Sequence, residues 1–119
     1  MNNKRLGTQF ERELVKALAD RGWWCHFITP NAAGAQPFDV IAVKNGVAMA
    51  IDCKTSVDNI FRFSRLEENQ IMAFEKWIAC GNEDPVIAVK YMDGVYFVSY
   101  KALKRDQKCD LNMLIRSKL

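Results

Sequence analysis

The pattern of apolar residues predicts an α/β layered domain: a mixed β-sheet with helices packed on it, in the order helix, three strands, helix, two strands. Three observations predict it. Two stretches repeat apolar residues at helical spacing, five short runs are β-prone, and two of the gaps between strands hold Asn-Gly or Asp-Gly, the strongest short hairpin signals.

Phe10, Leu14, Ala17 and Leu18 draw one apolar stripe along a helix from Thr8 to about Arg21, and Gly22 ends it. Trp23 to Ile28 is aromatic and β-prone, a first strand. Thr29 to Pro37, rich in Ala, Gly, Asn and Pro, reads as a loop without core-forming side chains. Phe38 to Val43 and Val47 to Lys54 form a central hairpin about Lys44-Asn45-Gly46. Leu66, Ile71, Phe74, Trp77 and Ile78 predict a second helix from Ser64 to about Cys80, with Ser64 and Glu67 at capping-box spacing and Gly81 past its end. Val86 to Tyr91 and Val95 to Tyr100 are two further strands about Asp93-Gly94. From Lys101 onward the chain is short, mixed and at best partly helical. Trp23, Trp24, Trp77 and the tyrosines fall within regular elements and are expected in the core, and His26 has no assigned role.

With 119 residues, half of them apolar and 26% charged, the chain suits one domain (1–119) whose end, 101–119, is a basic C-terminal segment. No apolar run reaches the ~18 residues of a membrane span and no signal-type stretch follows the first residues, so a cytoplasmic location and no membrane partner are expected. Cys25, Cys53, Cys80 and Cys109 lack zinc spacing and are expected as reduced thiols. The net charge of +3 is modest. Its distribution is uneven, however: Lys4, Arg5, Arg12, Lys16 and Arg21 crowd the start, and Lys101, Lys104, Arg105, Lys108, Arg116 and Lys118 the end. If both ends reach one face they make a phosphate-attracting surface; otherwise they are solvated lysines and arginines.

The chemistry-bearing residues lie on the central hairpin. Side chains two apart on a strand share a face, so Asp52 and Lys54 project together while Ile51 and Cys53 project oppositely. Asp39, at the start of the preceding strand, can lie across from that pair. Two close carboxylates repel unless a hard divalent cation takes oxygens from both, and Mg²⁺ fits such a site. A cation and a neighbouring lysine suit phosphodiester hydrolysis. The competing reading is a same-face ion pair at a sheet edge. Charges set in otherwise apolar runs, as Asp39 and Asp52 are, need partners and favour the functional reading. Glu11 sits at the edge of the first helix's apolar stripe, where it either faces the sheet or completes a capping box with Thr8.

Gly7-Thr8-Gln9-Phe10-Glu11-Arg12-Glu13-Leu14, Asp39-Val40-Ile41 and Ile51-Asp52-Cys53-Lys54 together resemble the signature of the archaeal-type Holliday junction resolvases, phage versions included, of the PD-(D/E)xK nuclease superfamily. The resemblance runs from Gly7 to about Tyr100 and implies a restriction-endonuclease-like fold. It implies that Glu11, Asp39, Asp52 and the Cys53 carbonyl gather Mg²⁺, with Mn²⁺ a possible substitute, that Lys54 is the catalytic lysine, and that Arg12 contacts the scissile region. It further implies a homodimer that resolves four-way junctions in double-stranded DNA by paired nicks. Asp52 replaces the commoner glutamate, Phe38 stands where proline often precedes the first Asp, and the loop lacks a serine common in resolvases, leaving Asn31 or Gln36 to supply a polar contact. These departures touch junction specificity more than nuclease chemistry. The alternatives are a nuclease of the same superfamily acting on other branched or linear DNA, and a DNA-binding module that keeps the fold without turnover.

Lys4, Arg5, Arg12, Arg62, Arg65 and Gln70 are the candidate DNA contacts, Arg62 and Arg65 because guanidinium binds phosphate bidentately. Gln70 and Asn69 could reach either the site or the DNA. Ile60, Phe61 and Phe63 place apolar bulk in the connection after Lys54, to be buried under the second helix or in a dimer interface.

Overall fold

The structure is a computed structural model that describes residues 9–30, 32–33 and 36–115. Lys4, Arg5, Thr8, Asn31, Arg116 and Lys118, among the expectations above, lie outside the described residues. The elements run α1 (Gln9–Asp20), β1 (Trp24–Phe27), β2 (Val40–Lys44), β3 (Val47–Ser56), β4 (Ile60–Arg62), α2 (Glu68–Ala79), β5 (Val86–Tyr91), β6 (Gly94–Ser99), α3 (Tyr100–Asp106) and β7 (Lys108–Asp110). Short 3-10 turns follow β4 and β7.

Five strands form one mixed sheet in the order β1-β2-β3-β5-β6, with β3 in the middle, and β4 pairs with β7 in a separate two-stranded sheet. β3 runs antiparallel to β2 and parallel to β5, so the chain between them crosses over through β4 and α2. Strand alternation sorts the core into two layers. Phe10, Leu14 and Leu18 of α1 pack with Val40, Ala42, Ile51 and Ala88 on one face. Ala50, Ile87, Val89 and Val98 face the other way, onto Phe74 of α2, Tyr100 and Leu103 of α3, Phe61 of β4 and Leu111. Asp52 and Lys54, in phase with Ala50, therefore point to the α2 side.

The β2–β3 hairpin closes on Asn45 (φ 52°) and Gly46 (φ 78°), both in the left-handed region that a primed hairpin turn demands. The second hairpin turns one residue earlier than expected. Tyr91 pairs with Gly94, so Met92 (φ 53°) and Asp93 make the turn.

Several expectations are corrected. Helix α2 begins at Glu68 rather than near Ser64, because Phe61 is drawn fully into the core and the chain keeps to a 3-10 turn through Arg65 before buried, extended Leu66. Gln70 Oε1 accepts from the Glu67 backbone N–H at 3.0 Å, which sets the helix start there. Phe61 has no exposed surface, and Phe63 packs against Tyr100 with ring centroids 6.2 Å apart; this bulk serves the chain's own core. Residues 101–115 join the domain's own core and sheets, since Leu103 and Leu111 are fully buried and β7 pairs with β4. Trp24 lies on edge strand β1, 62% exposed and stacked on exposed His26 at 6.0 Å, rather than in the core. Among the described residues, the helices that carry basic side chains near the two ends, α1 and α3, lie on opposite sides of the sheet.

All four cysteines are free thiols, and none of the described helices is long and apolar enough to cross a membrane. Helix α3 stops at Gln107, whose φ of 67° carries its N–H back to the Leu103 carbonyl. A side chain in that conformation is strained. Gln107→Gly is expected to raise stability by about 0.5 kcal/mol, net of the added flexibility of the unfolded chain, as read from chemical or thermal unfolding.

Candidate active site

The site forms where β2 begins and β3 continues past it. The Asp39 N–H donates to the Ile51 carbonyl at 3.0 Å, after which β2 has no further residue to pair with β3. The vacated ladder position is filled by a side chain: the Cys53 N–H donates to Asp39 Oδ2 at 2.7 Å. A residue's N–H and C=O point to the same side of its strand, so the Cys53 carbonyl turns to this side too, next to Asp39.

Asp52 is a fully buried acid at the centre of the sheet. Its Oδ1 accepts from Gln70 Nε2 at 3.0 Å. Its Oδ2 lies 3.4 Å from Lys54 Nζ, yet has no hydrogen bond and no solvent contact. Burial, and after it the neighbouring Asp39 charge, push the Asp52 carboxyl up to about 8, against a weaker downward pull from Lys54. Lys54 is itself only 17% exposed and donates to Gln70 Oε1 at 3.2 Å.

Asp39 is half-buried, and its Oδ1 accepts from Gln36 Nε2 at 2.7 Å. Gln36 therefore supplies the polar contact that the serine-free loop required. Asn69 of α2 secures that loop, its Nδ2 donating to the Gln36 carbonyl at 2.7 Å.

Asp39, Asp52 and Lys54 are thus brought together, with Gln70 among them. Glu11 lies on α1, the helix on the opposite face of β3, and its charge acts at Cys53, whose thiol is raised first by burial and then by Asp39, Glu11 and Asp52. Among the described residues, no three acidic, histidine or cysteine side chains gather closely enough to hold a metal by themselves. Arg12 is exposed on α1 and Arg62 on β4. Exposed Arg65 donates to the Thr55 carbonyl at 2.8 Å and lies over the Phe61 ring at 5.2 Å, holding the end of β3. Gln70, expected among the DNA contacts, is instead buried at 8% exposure with its amide turned onto Asp52 and Lys54. The signal for this was the pairing of Glu67 with a glutamine three residues on, which the more familiar Ser64–Glu67 spacing obscured.

The donor set fits a hard divalent cation. One carboxylate oxygen is buried without a hydrogen bond, a second carboxylate lies beside it, and a backbone carbonyl faces the same space.

Residues 2–117 match the family model of the archaeal Holliday junction resolvases, Hjc. The chain belongs to this family. Among its relatives, Crossover junction endodeoxyribonuclease Hjc of Methanocaldococcus jannaschii is 30% identical over 95 residues, 80% of this chain. Crossover junction endodeoxyribonuclease Hje of Saccharolobus islandicus is 28% identical over 92 residues, 75% of this chain. The chain spans 66% of the length of each of these curated relatives. Its fold is that of the solved Archaeoglobus fulgidus Hjc, with a TM-score of 0.66 over 90% of this chain and 89% of that one, at 22% identity. The resolvase fold accounts for the five-stranded mixed sheet flanked by helices and places Asp52 on its central strand.

Proposed function

We propose that this chain is a divalent-metal-dependent DNA endonuclease that resolves four-way junctions as a homodimer. The observation that carries the reading is the buried Asp52 oxygen without a hydrogen bond, beside Asp39 and Lys54 at the point where the central strand outruns its neighbour. A polar oxygen left without a hydrogen bond in a core costs free energy unless a ligand takes it up.

Asp39, Asp52 and the Cys53 carbonyl would hold the cation, Mg²⁺ or in its place Mn²⁺, with the Glu11 carboxylate, whose charge acts at Cys53, adding to the negative charge that attracts it. When bound, the cation supplies Lewis-acid charge at the scissile phosphate. Lys54, fixed by Gln70 and Asp52, points an ammonium at the same space; it orients the attacking water and offsets charge building on the phosphoryl oxygens. Arg12 and Arg62 would grip the DNA backbone outside this centre. A four-way junction has two-fold symmetry, so a two-fold dimer would present one site to each of two opposed strands. Family membership and the names of the relatives support this substrate over flaps or linear duplex.

The test compares a four-way junction with its separate duplex arms, each with Mg²⁺ and with a chelator. Paired, Mg²⁺-dependent nicks in the junction alone are expected, from a protein that sediments as a dimer. Equal cutting of the arms would remove the resolvase reading. Salt-sensitive binding without product in either Mg²⁺ or Mn²⁺ would make this a non-catalytic DNA-binding member of the fold.

A further inference from the structure

The first turn of α2 touches both acids of the site, one directly and one through a relay. Gln70 has a single consistent orientation. Its Oε1 meets two donors, the Glu67 backbone N–H at 3.0 Å and Lys54 Nζ at 3.2 Å, so its Nε2 must face a carboxylate, Asp52 Oδ1 at 3.0 Å. Asn69, one residue earlier, reaches the other acid through the loop. Its Nδ2 holds the Gln36 carbonyl at 2.7 Å, and Gln36 Nε2 donates to Asp39 Oδ1 at 2.7 Å. In each acid an amide N–H therefore pins Oδ1. The Oδ2 atoms are left to the site, that of Asp52 with no hydrogen bond and that of Asp39 on the Cys53 N–H.

We propose that Asn69 and Gln70 form a clamp that sets the orientation of both acids, Gln70 on Asp52 and Lys54, and Asn69 on Asp39 by way of Gln36. All three amides are positioning residues. The inference rests on the nuclease reading above. The clamp also joins the loop before Asp39 to α2, so disturbance of the loop at Gln36 is transmitted to one acid and not the other.

A purely structural role predicts something different. The helix start needs Gln70 Oε1 but not Asn69, and alanine is a better helix former than asparagine. Asn69→Ala trades one hydrogen bond for helix propensity and should therefore fold about as stably as the parent. The experiment measures Mn²⁺ affinity by calorimetry, junction turnover and thermal unfolding for Gln36→Ala, Asn69→Ala, Gln70→Leu and their pairwise combinations.

Each single variant is expected to lose about 10-fold to 100-fold in Mn²⁺ affinity or turnover, the usual effect of removing a hydrogen bond behind a metal ligand. Gln36 and Asn69 act in series, so their double variant should be no worse than either alone; Asn69 and Gln70 act in parallel, so their losses should multiply. Wild-type affinity and turnover in Asn69→Ala would overturn the clamp, as would multiplying losses for Gln36 and Asn69. Should the parent fail to cut the junction while the same variants still lower Mn²⁺ affinity in this pattern, the nuclease reading falls and the clamp stands.

Discussion

Asp52→Asn is expected to lower DNA cleavage by at least about 10³-fold while making the metal-free protein more stable at pH 8. The two effects have one cause. Asp52 is fully buried with its carboxyl raised to about 8, so above the ordinary carboxylate range the unfolded chain ionises it freely and the folded protein resists doing so. Below about pH 4 the group is protonated in both states and has no effect on their balance. Between about pH 4 and 8 the unfolded state holds fewer protons than the folded one, and stability falls as pH rises, levelling above 8. The total loss is at most about 6 kcal/mol, since one unit of pKa is about 1.4 kcal/mol. Asparagine keeps the acceptor for Gln70 Nε2 and does not ionise, so the variant's stability should be nearly flat over this range. A divalent cation should stabilise the parent more at pH 8 than at pH 5 and leave the variant almost unmoved. Unfolding titrations at pH 5 and pH 8, with and without Mg²⁺, measure all of this. A parent whose metal-free stability is the same at both values would show that Asp52 is ordinarily ionised and that burial does not govern the site.

Phe74→Ala should produce the largest loss of stability, about 3–5 kcal/mol. Phe74 is fully buried on α2 and joins two other aromatic rings, stacking on Phe38 at 5.8 Å and meeting Tyr100 edge-on at 5.0 Å. Removing it leaves a cavity under the sheet where Phe38, the residue before Asp39, is anchored. The deficit should therefore appear twice, as a lower denaturation midpoint and as weaker divalent binding at temperatures where the variant is still folded. Phe74→Leu, which refills much of the volume, should recover most of both. A variant that loses stability but binds Mn²⁺ as tightly as the parent would show that the site is held by its hydrogen bonds alone.

Local spacing was enough for much of this molecule. Period-two alternation put Asp52 and Lys54 on one face of a strand, and the structure shows them there because the Ala50 to Lys54 register is a property of the strand itself. Asn45-Gly46 specified its own turn through two residues that accept positive φ. The resemblance carried by Glu11-Arg12, Asp39 and Asp52-Cys53-Lys54 pointed to the resolvase family to which the chain belongs. What failed depended on distant partners. Three-residue β4 and β7 have too few residues for a periodic signal, and each is a strand only because the other, 50 to 46 positions away, supplies its hydrogen bonds, Ile60 to Asp110 and Arg62 to Lys108. Trp24 has the composition of a core residue but occupies the sheet's edge, where no helix covers it.

The site divides the same way. Which acids and which lysine stand close together was determined by the sequence, because neighbouring strands of one hairpin must bring Asp39 beside Asp52 and Lys54. How they are charged and aimed was decided only by tertiary structure. The central place of β3 buries Asp52, the early start of β2 hands the Cys53 N–H to Asp39, and the packing of α2 delivers Gln70 and Asn69 from 18 and 33 residues away. Burial and orientation are properties of what surrounds a group, and no spacing along the chain encodes them.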